Sequence, residues 1–168
     1  MPSVREFKSV TSCRVLIPAP IVDRLELTLK NARGLETGGF LIGLRRGHDI
    51  ELSNLTLESR GDIATPTTFT RKSASHRQFI IRSWNQSGGL ESLVGDWHTH
   101  PRGSGTPSQA DMGAWQQLSS SKVDPAVGII LAQKRFRVFV SKKNGRRLAV
   151  KELSIVERSD NDIVYGLS

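Results

Sequence analysis

The chain has 168 residues, 37% hydrophobic and 24% charged, with a net charge of +8 at pH 7, which suits one globular domain with a real core. No run of about 18 apolar residues is present, so a helical membrane span is excluded, and Met1–Val10 lacks the apolar stretch of a secretory signal, so a cytoplasmic protein is expected. The single cysteine, Cys13, excludes an internal disulfide and cysteine-rich zinc sites, including a Cys-x-x-Cys deaminase centre, and is read as a small apolar strand residue.

In chain order, Cys13–Ile17 predicts a strand that Pro18 closes. Pro20 suits the first turn of a helix over 21–33, in which Ile21, Leu25 and Leu29 recur on one face and Gly34 is the stop. Glu36–Leu44 and Ile50–Leu57 predict a hairpin around the turn Arg45–Asp49. Ser59–Lys72 is polar and predicts a long loop with a short strand at Phe69. Ser75-x-x-Gln78 fits a capping box opening a helix, with Phe79, Ile80 and Trp84 as its apolar side and Gly88-Gly89 as its end.

Leu93–His98 predicts a strand running into the loop Thr99–Pro107. Ser108 opens a third helix with Met112, Trp115 and Leu118 as its packing stripe. Val127–Ala132, Phe136–Val140 and Leu148–Val156 predict three more strands, with Asn144-Gly145 as a type I′ turn. The order β-α-β-β-α-β-α-β-β-β predicts an α/β protein with helices layered on a mixed sheet. One domain over 12–157 is expected, with an N-terminal extension 1–11 and a polar, mobile tail 158–168.

The basic residues are spread out, at Arg45-Arg46, Arg71-Lys72, Lys134–Arg137, Lys142-Lys143 and Arg146-Arg147, which reads as a solvated surface. No aromatic-basic platform accompanies them, so nucleic acid is not the expected partner.

Chemistry concentrates in Gly95–Trp115. His98 and His100 are two apart, and alternate residues of a strand share a face, so both imidazoles can converge on one point. His-x-His alone is a weak signal. Asp111, in the first turn of the following helix, strengthens it, because the loop with Pro101, Gly103, Gly105 and Pro107 can turn that helix start back on the strand end. Two histidines and one carboxylate form a catalytic zinc set with a position left for water, and favour zinc over magnesium or calcium. Ser108-x-x-Asp111 also fits a plain capping box, and the two readings are compatible. Asp96 is read as structural or as a support to the ligands, His48 and His76 as surface histidines, Trp97 and Trp115 as core or site wall. Gly38-Gly39 is read as allowing close packing of a helix on the strand.

His98-Thr99-His100-Pro101, Pro107-Ser108 and Asp111 together match His-x-His-x7-Ser-x2-Asp, and Glu36-Thr37-Gly38-Gly39-Phe40-Leu41-Ile42-Gly43 resembles Glu-x-x-Gly-x-Leu-x-Gly. On these motifs the chain resembles the JAMM metalloproteases over roughly Cys13–Val140. The resemblance implies a single-domain, cytidine-deaminase-like fold with a curved mixed β-sheet flanked by helices. It implies His98, His100 and Asp111 as zinc ligands, Glu36 as general base and Ser108 as an oxyanion donor. It also implies a protein substrate whose extended C-terminal tail is joined to an amine. That tail would add beside the strand beginning at Glu36 or the loop Phe69–Lys72.

Within the family the chain is similar to stand-alone bacterial deconjugases of CBASS antiphage systems. There the substrate is a cyclic-nucleotide synthase joined through its C-terminus to target amines by a conjugating enzyme. Alternatives left open are a RadC-like DNA-associated protein and a peptidase that processes a sulfur-carrier or phage-tail protein.

Overall fold

The protein, in a computed structural model, is described over residues 13–133 and 135–168; the expected extension 1–11 lies outside the described residues. Its elements are β1 (Val15–Pro18), α1 (Ala19–Asn31), β2 (Gly38–Arg46), β3 (Asp49–Leu55), β4 (Ile63–Ala64), β5 (Phe69–Thr70) and α2 (Ala74–Gln86). They continue with β6 (Ser92–His100), α3 (Gln109–Ser120), β7 (Ala126–Ala132), β8 (Arg135–Asn144), β9 (Arg147–Arg158) and β10 (Asp162–Gly166). The expected α/β class and curved mixed sheet are both present. The curvature goes further than expected, because eight strands close into a barrel in the order β1-β10-β9-β8-β7-β6-β2-β3. The pairs β1–β3 and β6–β7 are parallel and the others antiparallel.

Strand β7 shows why the sequence folds in layers. All of its residues are buried. Val127, Ile129 and Leu131 face the larger core with Leu41, Leu55, Trp97, Val138 and α1 residues Ile21 and Leu25. Ala126 and Ile130 face a second core with Trp115 and Leu118 of α3 and Phe139 of β8. Alternate side chains of one strand thus serve two layers, which is why the run is apolar throughout. Trp115 lies on Gly128, where a Cβ would come within 2.2 Å of the indole. Its Nε1 donates to Asp96 Oδ1 at 2.8 Å, which fixes α3 against β6. Among the described residues no helix is long and apolar enough to cross a membrane.

Several expectations need correction. Residues 158–168 are not a free tail, because Asp162–Gly166 forms β10 and closes the barrel between β1 and β9. Ile163, Val164 and Tyr165 supply the strand character within a polar segment, and Tyr165 is buried in the larger core. The strand before the metal loop extends to His100, held by parallel pairing of Thr99 with Leu131 and His100 with Ala132. Ser73, not Ser75, caps α2, its side chain accepting from Ser75 N. The turn between β8 and β9 is Gly145-Arg146, with only Gly145 at positive φ, so no type I′ turn forms at Asn144-Gly145. Trp84 is exposed rather than buried under α2, whose buried residues are His76 and Ser83.

Candidate metal centre

The ends of three segments build the site. β6 delivers His98 and His100, whose Nε2 atoms lie 2.9 Å apart. Gly38 is paired with His98 across β2–β6. A Cβ at Gly38 would fall 2.6 Å from the Trp97 carbonyl and 3.0 Å from His98 Cβ, so glycine there lets β2 approach β6 closely at His98. A Cβ at Gly39 would fall 2.0 Å from the Thr56 carbonyl. The two glycines therefore serve strand contacts on β6 and Thr56, not helix packing as expected.

The loop after β6 brings α3 back. Gly105, at φ +82, packs where a Cβ would touch Ala132 and Arg137. Arg137 is held by both carboxylate oxygens of Glu152 at 2.8 and 2.7 Å, and donates to Ser104 O at 3.3 Å. At the helix start Ser108 N donates to Asp111 Oδ2 at 2.7 Å, and Asp111 N donates to Ser108 Oγ at 3.1 Å. The same carboxylate faces the histidines, with Oδ1 3.0 Å from His98 Nε2 and Oδ2 3.3 Å from His100 Nε2. The capping geometry of Asp111 is compatible with its facing a metal. The cap aims the carboxylate, and Ser108 keeps its hydroxyl proton available to donate.

His98, His100 and Asp111 each offer one ligand atom, all within 4.8 Å of one another, so this group can hold a metal ion. Two neutral imidazole nitrogens and a carboxylate oxygen are the donors a catalytic metal of the zinc kind takes. Burial works against ionisation of Asp111, but the hydrogen bonds from His100 and His98 overcome it and hold the carboxyl well below the usual carboxylate range. The bond to Asp111 raises the pKa of His100 against the opposing effect of burial.

Glu36, 8% exposed, stands just before β2, and its N–H donates to Thr65 O at 2.8 Å. Burial pushes its carboxyl above the ordinary glutamate value, while the fields of His98, His100 and Arg71 pull the other way. It is a buried carboxylate beside the cluster but outside its ligand-distance group. All five expected site residues thus come from the ends of β6 and α3 and the start of β2.

Sequence reasoning missed the scaffold behind them. Thr99 is fully buried between the histidines and bonds Thr37, the residue after Glu36. Arg71, expected on a solvated basic surface, is half-buried. It donates to Gly39 O at 2.9 Å and Trp97 O at 2.7 Å, lies 3.7 Å from Asp96, and stacks near Phe40 and Phe69. His76, expected at the surface, is 2% exposed and joins Thr56 Oγ1 and Asp62 Oδ2, each at 2.7 Å. Asp96 has the structural role expected. The only local hint of these networks is an arginine and a histidine beside a phenylalanine-containing strand and a helix start.

The chain matches the family described as prokaryotic homologues of the JAB domain over residues 18–145. It is 31% identical over 113 residues to a protein of Vibrio cholerae named a CD-NTase/cGAS isopeptidase, covering 66% of this chain and 72% of that one. A protein of the same name from Escherichia coli is 31% identical over 108 residues, 64% of this chain and 67% of that one. A probable metalloprotease of Sinorhizobium fredii is 28% identical over 99 residues, 58% of this chain and 60% of that one. In fold, the solution structure of a Desulfitobacterium hafniense protein superposes with a TM-score of 0.59 at 20% identity, covering 81% of this chain and 87% of that one.

Proposed function

The chain belongs to the prokaryotic JAB-domain family, and from that premise we propose that it is a zinc-dependent isopeptidase releasing a cyclic-nucleotide synthase from the amines to which its C-terminus is joined. It is a JAMM-type peptidase by kinship with relatives named CD-NTase/cGAS isopeptidase and probable metalloprotease. The observation that carries the reading is the convergence of His98, His100 and Asp111 ligand atoms within 4.8 Å, with Glu36 buried alongside.

His98, His100 and Asp111 would hold the ion. Bound there, zinc supplies Lewis acidity that polarises the scissile carbonyl and makes water a nucleophile near neutral pH. Glu36 takes the proton from the attacking water and delivers it to the leaving amine. Its burial suits the accepting half of that task, because a carboxyl held above its ordinary pKa is a stronger base. Ser108 donates its hydroxyl to the negative oxygen of the tetrahedral intermediate. Asp111, aimed by the bond it accepts from Ser108 N, would be the carboxylate ligand. The protein being cut enters with its C-terminal tail extended, and the segment before β2 and the β4–β5 hairpin border the site where it would lie.

The test is cleavage of a CD-NTase joined through its C-terminus to a lysine amine. Products whose masses match hydrolysis at that bond, formed by metal-loaded protein and not after chelation, support the reading. An intact conjugate in the presence of protein with bound zinc opposes it.

A further inference from the structure

Helix α2 turns two of its large apolar side chains, Ile81 and Trp84, outward, while Phe79 and Ile80 are half-buried. Its buried residues are His76 and Ser83, while Ile81 is 47% and Trp84 50% exposed. Leu90, just past the helix, is 69% exposed. Arg77, Ile81 and Trp84 recur at helical spacing and form one outward strip, and Arg82 is exposed beside it. A scattered exposed leucine needs no explanation, but a tryptophan, an isoleucine and an arginine on one strip, with Arg82 beside it and Leu90 just past its end, have the composition of a binding hot spot.

The strip is built to stay in place. Gly89 N–H donates to the Trp84 carbonyl at 2.8 Å, and Gly89 sits at φ +84. A Cβ at Gly89 would come within 3.1 Å of the indole, so the turn lies directly against the Trp84 ring. The indole is thereby held on its outer face without being covered, which lowers the entropic cost of engaging it.

Charge states what kind of surface fits. Residues 72–90 carry Lys72, Arg77 and Arg82 and no aspartate or glutamate, and one acid, Glu91, follows at the turn, leaving the segment net basic. Among the described residues, Arg77 and Arg82 form no ion pair. An acidic partner is favoured, and a second copy of a chain of net charge +8 is disfavoured. Ile81 and Leu90 offer nothing to a phosphate backbone, so a protein fits better than a nucleic acid.

Position states which part of that protein. Leu90 precedes His98 by eight residues, which is about 26 Å of extended chain at roughly 3.3 Å per residue. Leu90 and the scissile bond therefore lie toward opposite ends of β6. α2 nevertheless packs on β2 and β6, the strands that carry the metal centre, so a folded domain seated on α2 holds its tail beside them.

We propose that Arg77, Ile81, Trp84 and Leu90 form an exosite that docks an acidic, apolar patch on the folded body of the protein whose C-terminal tail the metal centre cuts. The proposal rests on the function given above and adds where the substrate's body is held.

The test measures binding of the wild-type protein to the cognate cyclic-nucleotide synthase with its C-terminal tail removed, by biolayer interferometry at several salt concentrations. The expected result is binding that weakens with salt. Trp84→Ala should raise Kd roughly 30-fold, and Arg77→Glu with Arg82→Glu should raise it and flatten the salt dependence, with melting temperatures unchanged. No binding to the tail-less synthase, or equal Kd for all three proteins, overturns the exosite. So does uptake of a DNA duplex or phosphatidylserine vesicles through Trp84 when the synthase body is not bound. Failure of the isopeptidase reading would appear separately, as a conjugate that the protein binds through its body and leaves uncut.

Discussion

Thr99 and Thr37 exchange two hydrogen bonds: Thr37 N–H donates to Thr99 Oγ1 at 2.9 Å, and Thr99 N–H donates to the Thr37 carbonyl at 2.9 Å. Thr99 lies between the two histidines and Thr37 follows Glu36, so the clamp ties the buried carboxylate to the strand that carries two of the three candidate ligands. Thr37 Oγ1 donates onward to Glu58 Oε2 at 2.9 Å, which anchors the clamp to the segment after β3.

Thr99→Val keeps the shape and removes the acceptor for Thr37 N–H. Leaving that buried donor unpaired should cost about 1–3 kcal/mol of stability. The expected kinetic result is a fall of roughly tenfold in kcat with zinc content unchanged, and recovery in Thr99→Ser. Steady-state kinetics on the three proteins, with metal analysis, check this. Wild-type kcat in Thr99→Val would remove the clamp from the account.

Asp111→Asn separates the two duties of Asp111. An asparagine oxygen can still accept from Ser108 N, so the helix cap should survive and the fold with it. The charge is lost, so zinc affinity and activity should fall together. Metal titration followed by calorimetry distinguishes this from a folding defect, because only the metal-dependent rise in melting temperature should disappear.

His76→Leu should be among the costly core substitutions outside the site. It strips Thr56 and the buried Asp62 carboxylate of a shared partner, and a loss of about 3 kcal/mol or more is expected. Urea unfolding measures it. A change within experimental error would show that the Thr56–His76–Asp62 chain is replaced without loss.

Asp62 also sets an acid limit on stability. Burial alone would raise its pKa, but hydrogen bonds from Ser73 N, Ser59 N and His76 outweigh it and hold the carboxyl below the ordinary range. A depressed folded pKa stabilises above the unfolded value, about 3.9, and that share is lost as pH falls through the folded value. Stability of wild-type protein should therefore drop below about pH 4. Asp62→Asn should flatten that limb.

What the sequence carried well was local. His98, His100, Ser108 and Asp111 sit within one strand-loop-helix unit, and alternation plus helix capping bring their side chains together. Glu36 was legible only through its motif, because its approach depends on β2 pairing with β6. The misreadings share a cause in partners distant along the chain. β10 is a strand because β1 and β9 flank it, His76 is buried because Thr56 and Asp62 receive it, and Arg71 is inside because two carbonyls and Asp96 take its guanidinium. Trp84 reads as core by hydrophobicity and is outside because His76 and Ser83 occupy the inner face of α2.

The most direct measurement of the central claim is cleavage of a C-terminally conjugated CD-NTase by wild-type and Glu36→Ala protein, each with its zinc content determined on the same sample. Both proteins should hold one zinc, and the rate should be lower by roughly 10²–10⁴ in Glu36→Ala. Cleavage by Glu36→Ala at the wild-type rate with zinc in place would contradict it.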